Sequence, residues 1–468
     1  MGSNDVIFVF GLGVSGVGVC RFLKSQKIPF FCTDDNQSKA LEFPDEFISD
    51  WINFDFKERN ISDVVISPGI AIKFPVPHGI VTKALESGIN VISDLELLHR
   101  FESNKMFIGI TGSNGKSTTT SLLGYVLRKL GKKVSIVGNI GKSPFDPDAF
   151  GADVYVIEIS SYQLESTHFN FDVGVLLNIS EDHLIRHGGM DGYIEIKSKI
   201  LKNKSGIRIL GVDDIHTQML HQTLQSSGDG SCVSISCATD ARSGYCIANE
   251  KLLHNSEIVC EFPRFDNLLG RHNIQNILAV IAVCRAIGGV DVRDVIESIK
   301  SFKALEHRIE FVAEIAGVKF YNDSKATNID STQKALEALN DRHIYLIAGG
   351  RAKEKGIEVL LPLPCFGCVK EVFLVGECAG EFASKIIEHN SGIPSNSNKR
   401  VKYVIAGTMA KAALLAFSAA RKCLASRSVV LLSPMCASFD QFRNFEDRGS
   451  AFKAAANSIM ITEGSTQE

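Results

Sequence analysis

The sequence predicts an α/β protein, with parallel sheets covered by helices on both faces. Three observations lead there. Ten apolar, β-branched runs recur along the 468 residues, each followed by a turn and a stretch of helical periodicity, the pattern of strands buried on both sides. Two of the turns are rich in glycine and lie between a strand and a helix. The chain is also too long for one ordinary core, which points to about three domains. Hydrophobic residues make up 45% and charged residues 22%, the balance of a globular protein. A formal net charge of -3 argues against wholesale binding to nucleic acid or an anionic membrane. No apolar run approaches the ~20 residues that span a bilayer.

In order, the strands are "DVIFVFG" (5–11), "DVVISPG" (63–69), "MFIGITG" (106–112), "DVYVIEIS" (153–160) and "FDVGVLLNIS" (171–180), followed by "GVKFYND" (317–323), "HIYLIAGG" (343–350), "EVFLVG" (371–376), "KYVIAG" (402–407) and "SVVLLSP" (428–434). Several end in Gly or Ser-Pro, and in open α/β sheets the ligand crevice lies at those carboxyl ends. Polar links at 99–105 and 300–308 suggest boundaries, giving domains of 1–98, 99–303 and 304–468. The polar segment around 222–262 reads as an insertion of small strands. Twelve scattered cysteines and an N-terminus without a basic leader region predict reduced thiols in a cytoplasmic protein. Cys365 and Cys368 form a CxxC, but no second pair lies nearby, so a loop or core role is expected.

"GLGVSG" places Gly11, Gly13 and Gly16 after a strand and before a helix, with Asp34 and Asp35 ending the next strand. This satisfies the dinucleotide fingerprint, yet shows only that a phosphorylated ligand can approach the helix start. "GITGSNGKST" (109–118) is a second phosphate cradle. It departs from G-x-x-x-x-G-K-[ST], because the first glycine of that template falls on Ile110. It still has a strand, a turn exposing backbone N–H groups (Gly112, Asn114, Gly115) and a helix start carrying Lys116, Ser117 and Thr118. Lys116 suits the β- and γ-phosphates and the Ser117 hydroxyl suits Mg2+. Glu158, ending an adjacent strand, is the kind of carboxylate that holds such a metal. Two cradles suggest an enzyme that joins two phosphorylated ligands rather than a nicotinamide dehydrogenase or a non-catalytic ATP-binding module.

Beyond the cradles, His183 reads as a metal ligand or a capping side chain; Lys197 lies among Lys199, Lys202 and Lys204, ordinarily a solvated face, although apolar Ile194, Ile196 and Ile200 around it argue for a partly buried helix. Asn273 and Asn276 suit an adenine edge or helix capping. His307, Arg308, Asp323, Lys325 and Thr327 gather polar groups near the third unit, and "SPMCASFDQFRNFEDRG" reads as a substrate pocket.

Taken together, "GITGSNGKST", "GNIG", "EISSYQLE", "NISEDHLIRH", "LLGRHNIQN", "NDSKATN" and "LLSPMCASFDQFRNFEDRG" resemble the Mur ligases, over most of the chain and in order, failing mainly around 215–262. The resemblance implies three domains: a Rossmann-like UDP-substrate domain, a central P-loop ATPase-like parallel sheet and a Rossmann-like C-terminal domain. It implies ATP-dependent joining of D-glutamate to UDP-N-acetylmuramoyl-L-alanine by a cytoplasmic monomer of peptidoglycan precursor synthesis, with two Mg2+ ions and a CO2-derived carbamate on Lys197. A sibling ligase adding another amino acid is the nearest alternative. Carried over by position, Val14, Ser15, Asp35 and Asn139 contact the UDP-substrate, while Asn273, Arg308 and Asp323 join the loop at ATP. Ser117, Glu158, His183 and the carbamylated Lys197 hold metal. Thr327, Lys353, Ser438 and Phe445 shape the D-glutamate pocket. Lys116, His183 and Lys197 are the expected catalytic residues. The sequence departs at Asn36, where an Arg is expected near uracil, at Glu306, where Pro is usual, and after Lys353, where Asp-Phe often follows.

Overall fold

A computed structural model describes residues 5–227, 232–237, 244–265, 268, 270–288, 290–303, 305–352, 356–395, 397, 399–423 and 427–464. All ten runs read from the sequence form strands. The chain divides into two compact units, Met1–Arg264 with Ile274–Phe302, and Phe265–Asn273 with Lys303–Glu468.

The first unit holds two sheets. Strands β1 (Val6–Phe10), β2 (Phe30–Thr33), β3 (Ile61–Ile66) and β4 (Asn90–Ile92) form a parallel sheet in the order β2-β1-β3-β4. Alternation along β1 sends Ile7 and Val9 into one core and Phe8 and Phe10 into the other, so both faces are covered. β1 lies where the chain turns from one side of the sheet to the other, and its exit is the turn at Gly11.

The second sheet contains β5 (Met106–Thr111), β6 (Val134–Gly138), β7 (Val154–Glu158), β8 (Val173–Leu176), β9 (Ile207–Gly211), β10 (Cys232–Ser236), β11 (Tyr245–Ala248), β12 (Lys251–His254) and β13 (Glu257–Glu261). Its order is β13-β12-β11-β10-β9-β8-β5-β7-β6. The pairs from β6 to β11 are parallel, whereas β11, β12 and β13 run antiparallel. The polar segment near 222–262 therefore extends this sheet, within its described residues. The expected polar link at 99–105 begins as the last turn of the helix Asp94–Phe101. That helix is capped by the Ser93 side chain, and Ser93 also meets Thr167 at 2.8 Å.

The second unit has one sheet, β14 (Glu310–Ile315), β15 (Val318–Asn322), β16 (His343–Gly349), β17 (Val369–Val375), β18 (Lys402–Gly407) and β19 (Ser428–Leu432), in the order β14-β15-β19-β16-β17-β18. Among the described residues only the β14–β15 pair is antiparallel. Leu346, Phe382 and Leu431 lie in one core, and Phe320, Ile347, Phe417 and Phe452 in the other. The exits of β15, β16 and β19 thus share one edge.

Candidate active site

The phosphate loop leaves β5, between β7 and β8. Gly115 caps the helix Lys116–Lys129 in the left-handed conformation, φ 86°, and a Cβ there would come within 2.4 Å of Asn276 Oδ1. Only glycine fits both conditions. The helix buries Leu122, Leu123, Val126 and Leu127, the face its periodicity predicts. Asn178, at the exit of β8, fixes the turn: its Oδ1 accepts from Asn114 N–H at 2.9 Å and its Nδ2 donates to Asn114 O at 3.1 Å. The Ser113 hydroxyl donates to Ser180 O at 2.9 Å and lies 3.1 Å from Tyr193 OH. The Lys116 ammonium folds back over the loop, donating to Gly112 O at 2.8 Å and Ser113 O at 2.9 Å. The Ser117 and Thr118 side chains are buried at the helix start.

Glu158 pairs with Ile110 across β5 and β7, beside the loop. One oxygen, Oε1, accepts from Asn139 Nδ2 at 2.7 Å; the other, Oε2, is buried and has no hydrogen-bond partner among the described residues. An unsatisfied buried carboxylate oxygen is costly, and beside a phosphate loop it suits a cation. Among the described residues no three His, Cys, Asp or Glu side chains converge as a ready-made metal centre.

Lys197 stands apart from the solvated face that such a lysine run ordinarily forms, and lies on the partly buried helix that Ile194, Ile196 and Ile200 predict. It is 1% exposed on the helix Met190–Ser198. Its Nζ donates to Gly112 O at 2.8 Å and Thr111 Oγ1 at 3.3 Å and lies 4.8 Å from the Tyr193 ring centroid. Burial, with Lys116 nearby, holds its pKa well below the ordinary lysine value. Lys202 and Lys204 are exposed, as expected of a solvated face. His183 stands half-exposed at φ 52°, with Nδ1 3.1 Å from Tyr162 OH and Nε2 3.4 Å from Asp182.

In the first sheet, Val14 is 80% exposed at the start of its helix, and the Ser15 hydroxyl bonds the buried Asp94. Asp35 is exposed and lies 3.6 Å from His78 Nε2. Asp34 closes the glycine turn instead, accepting from Leu12 N–H at 2.6 Å. Asn36 accepts from Ser38 N–H and hydroxyl at 3.1 and 2.8 Å, so its amide builds the local turn.

In the second unit, Asp323 leaves β15 buried, accepting from Ser433 at 2.7 Å, and burial pushes its pKa up to about 7. Arg308 lies close enough to act on it through its charge. Asn273 is buried, its N–H on Gly270 O at 3.0 Å. Thr327 follows in the same loop as Asp323, Ser438 is buried after β19, and the Phe445 ring lies 3.7 Å below Lys325 Nζ. Lys353 lies outside the described residues.

The sequence matches the Mur ligase middle domain over residues 110–284 and the Mur ligase glutamate ligase domain over 307–436. The UDP-N-acetylmuramoylalanine–D-glutamate ligase of Rhodospirillum rubrum is 36% identical, covering 98% of this chain and 96% of its own. The chain is a Mur ligase. Two solved Mur ligases of Thermotoga maritima share the fold at 16% identity. One is a UDP-N-acetylmuramate–alanine ligase, with TM-score 0.57 over 97% of this chain and 99% of that one. The other is MurF in complex with ADP, with TM-score 0.55 over 86% and 92%.

In this Mur ligase, sequence reading missed several residues that shape the site. Asn178 carries the signal that found Glu158, a polar residue ending an apolar strand. Gln275 receives Asn178 Nδ2 at 3.1 Å and donates to Asp213 at 2.8 Å, a link no local pattern reveals. Arg448 and Ser324 meet only in the folded second unit.

Proposed function

We propose that this Mur ligase joins D-glutamate to UDP-N-acetylmuramoyl-L-alanine with cleavage of ATP to ADP and phosphate, in cytoplasmic peptidoglycan precursor synthesis, acting as a monomer. Residues 1–98 carry the UDP-substrate site, 99–303 the ATP site and 304–468 the amino-acid site. The observation that carries this reading is the full-length likeness to a D-glutamate-adding ligase, in a chain whose phosphate loop is flanked by Lys116, Lys197 and Glu158.

The chemistry follows from the weakness of a carboxylate as an acyl donor. The L-alanine carboxylate oxygen attacks the γ-phosphorus of ATP, ADP leaves, and an acyl phosphate forms. The D-glutamate amine then attacks its carbonyl carbon, a tetrahedral intermediate forms, and inorganic phosphate departs as the amide closes. Lys116 and the backbone N–H groups of the helix start offset the γ-phosphoryl charge as it moves. Ser15, Val14, Asp35 and Asn139 orient the nucleotide sugar. Asn273, Arg308 and Asp323 hold the nucleotide, and Thr327, Lys353, Ser438 and Phe445 hold D-glutamate.

The orphaned Glu158 Oε2 fits a divalent cation, which Glu158 and Ser117 would hold; His183 and a carbamylated Lys197 would hold a second. Mg2+ at these places supplies neutralising charge for phosphoryl transfer. Lys197 also fits carbamylation. A neutral amine is the nucleophile toward CO2, forming an N–C bond and releasing a proton, and burial keeps this amine neutral at lower pH than a surface lysine. Protein equilibrated with 13C-bicarbonate should give a carbamate carbon resonance that is lost in Lys197→Ala.

The deciding experiment is ADP release across a panel of UDP-muramoyl substrates with D- and L-amino acids. D-glutamate with UDP-N-acetylmuramoyl-L-alanine should be preferred; preference for L-alanine, L-lysine or diaminopimelate would reject the reading.

A further inference from the structure

We propose that Arg448 is a positioning residue, a buried hub that sets the shape of the amino-acid pocket; this rests on the reading of residues 304–468 as the D-glutamate site. Its side chain is 1% exposed. All three guanidinium nitrogens are used: Nε donates to Ser324 Oγ at 3.0 Å, Nη2 to Ser324 O at 2.8 Å and Nη1 to Cys436 O at 2.9 Å. The Ser324 hydroxyl in turn donates to Phe445 O at 2.8 Å. Gly350 presses against the same group, since a Cβ there would come within 3.2 Å of Nη1.

The four segments tied together are those that carry the proposed pocket. Ser324 leaves β15 in the loop that reaches Thr327. Gly350 leaves β16 three positions before Lys353 in the sequence. Cys436 leaves β19 in the loop that reaches Ser438. Phe445 opens the helix that bears Arg448 itself. A rigid planar fork holding carbonyls on separate loops fixes their spacing in a way a flexible ammonium does not.

Electrostatics point the same way. Among the described residues no carboxylate pairs with the guanidinium, and Asp323 and Asp440 reach it only through their fields. Burial lowers its pKa to about 10, so it stays cationic at neutral pH. A buried charge without an ion partner is expensive where packing alone is needed. Beneath a pocket for an amino acid with two carboxylates, it adds positive potential where binding needs it.

The test uses the full-length enzyme with Arg448→Met, Arg448→Lys and Ser324→Ala. KM for D-glutamate should rise about tenfold or more in Arg448→Met, less in Arg448→Lys and Ser324→Ala, with KM for ATP and for the nucleotide sugar held within about twofold. An unchanged D-glutamate KM in folded Arg448→Met, or an equal rise in all three KM values, would overturn the proposal. Should Arg448→Met fail to fold, Ser324→Ala is judged by the same criteria. The wild-type amino-acid panel is run first. If it prefers another amino acid, the functional reading falls, and the hub is then judged on the KM for that amino acid.

Discussion

The two glycine-rich turns of this chain share one geometry and differ in what surrounds them. Each leaves a central parallel strand and opens a helix, at Gly11–Gly16 after β1 and at Gly112–Lys116 after β5. The charged side chains bonded around the first are acids, with Asp34 on Leu12 N–H and the buried Asp94 on Ser15. The second has Lys116 and Lys197 converging on Gly112 O from two sides, with Glu158 adjacent. Backbone N–H groups suffice to seat a phosphate that keeps its charge. Where phosphoryl charge moves during reaction, a fixed cation such as Lys116 and groups able to hold a metal, such as Glu158 and a carbamylated Lys197, are required as well. On the proposed reading, the surroundings rather than the glycines separate a docking turn from a reacting one.

That contrast can be broken most forcefully at Lys197. Lys197→Ala should lower ligation on the order of 10³-fold, while Lys199→Ala and Lys204→Ala stay near wild type, and added formate should restore part of the loss. Full activity in Lys197→Ala, measured by ADP release, would end the distinction. Lys116→Ala should cost on the order of 10²-fold in rate with an unchanged melting temperature, because its ammonium rests on loop carbonyls rather than in the core. In the first turn the expectation shifts to stability and KM. A Cβ at Gly16 would meet Gly11 O at 1.9 Å, whereas one at Gly13 meets nothing within 4 Å. Gly16→Ala should therefore destabilise the protein by about 1–3 kcal/mol, read by denaturant unfolding. Gly13→Ala should leave unfolding alone but, with the nucleotide sugar docked at this turn as proposed, raise its KM. The smallest effect belongs to Asp35→Asn, a few-fold rise in the same KM, because the carboxylate is solvated. An effect of Asp35→Asn on the ATP KM would show that the two turns are not separate.

The sequence made ten strands legible because each carries a nearly continuous apolar run followed by a turn. It hid β2 and β4, which span only Phe30–Thr33 and Asn90–Ile92, and β6 and β9, whose runs are interrupted by the buried Ser135 and Arg208. Short or interrupted strands carry too little local pattern; their neighbours in the sheet hold them in place. The phosphate loop and Glu158 were readable because their chemistry is local, a turn and a strand end. Ile194, Ile196 and Ile200 signalled that the helix of Lys197 is partly buried, but its enclosure by Tyr193 and the phosphate loop was not legible, because those contacts form only in the fold. The hub at Arg448 was invisible for the same reason: its partners, Ser324 and Cys436, lie on separate loops that only the sheet brings together.

The strand order of the last sheet governs when its pocket can come into being. β19, the final strand in the chain, is inserted between β15 and β16, two of the earliest of that sheet. During synthesis those two strands wait with unpaired inner edges until residues 428–432 have left the ribosome. Such nonlocal pairing is slow to form and exposes strand edges to other chains. A nascent chain cut short before Ser428 has no floor for the loops that follow β15 and β16, so it is a substrate for chaperones and proteases rather than a weakened enzyme.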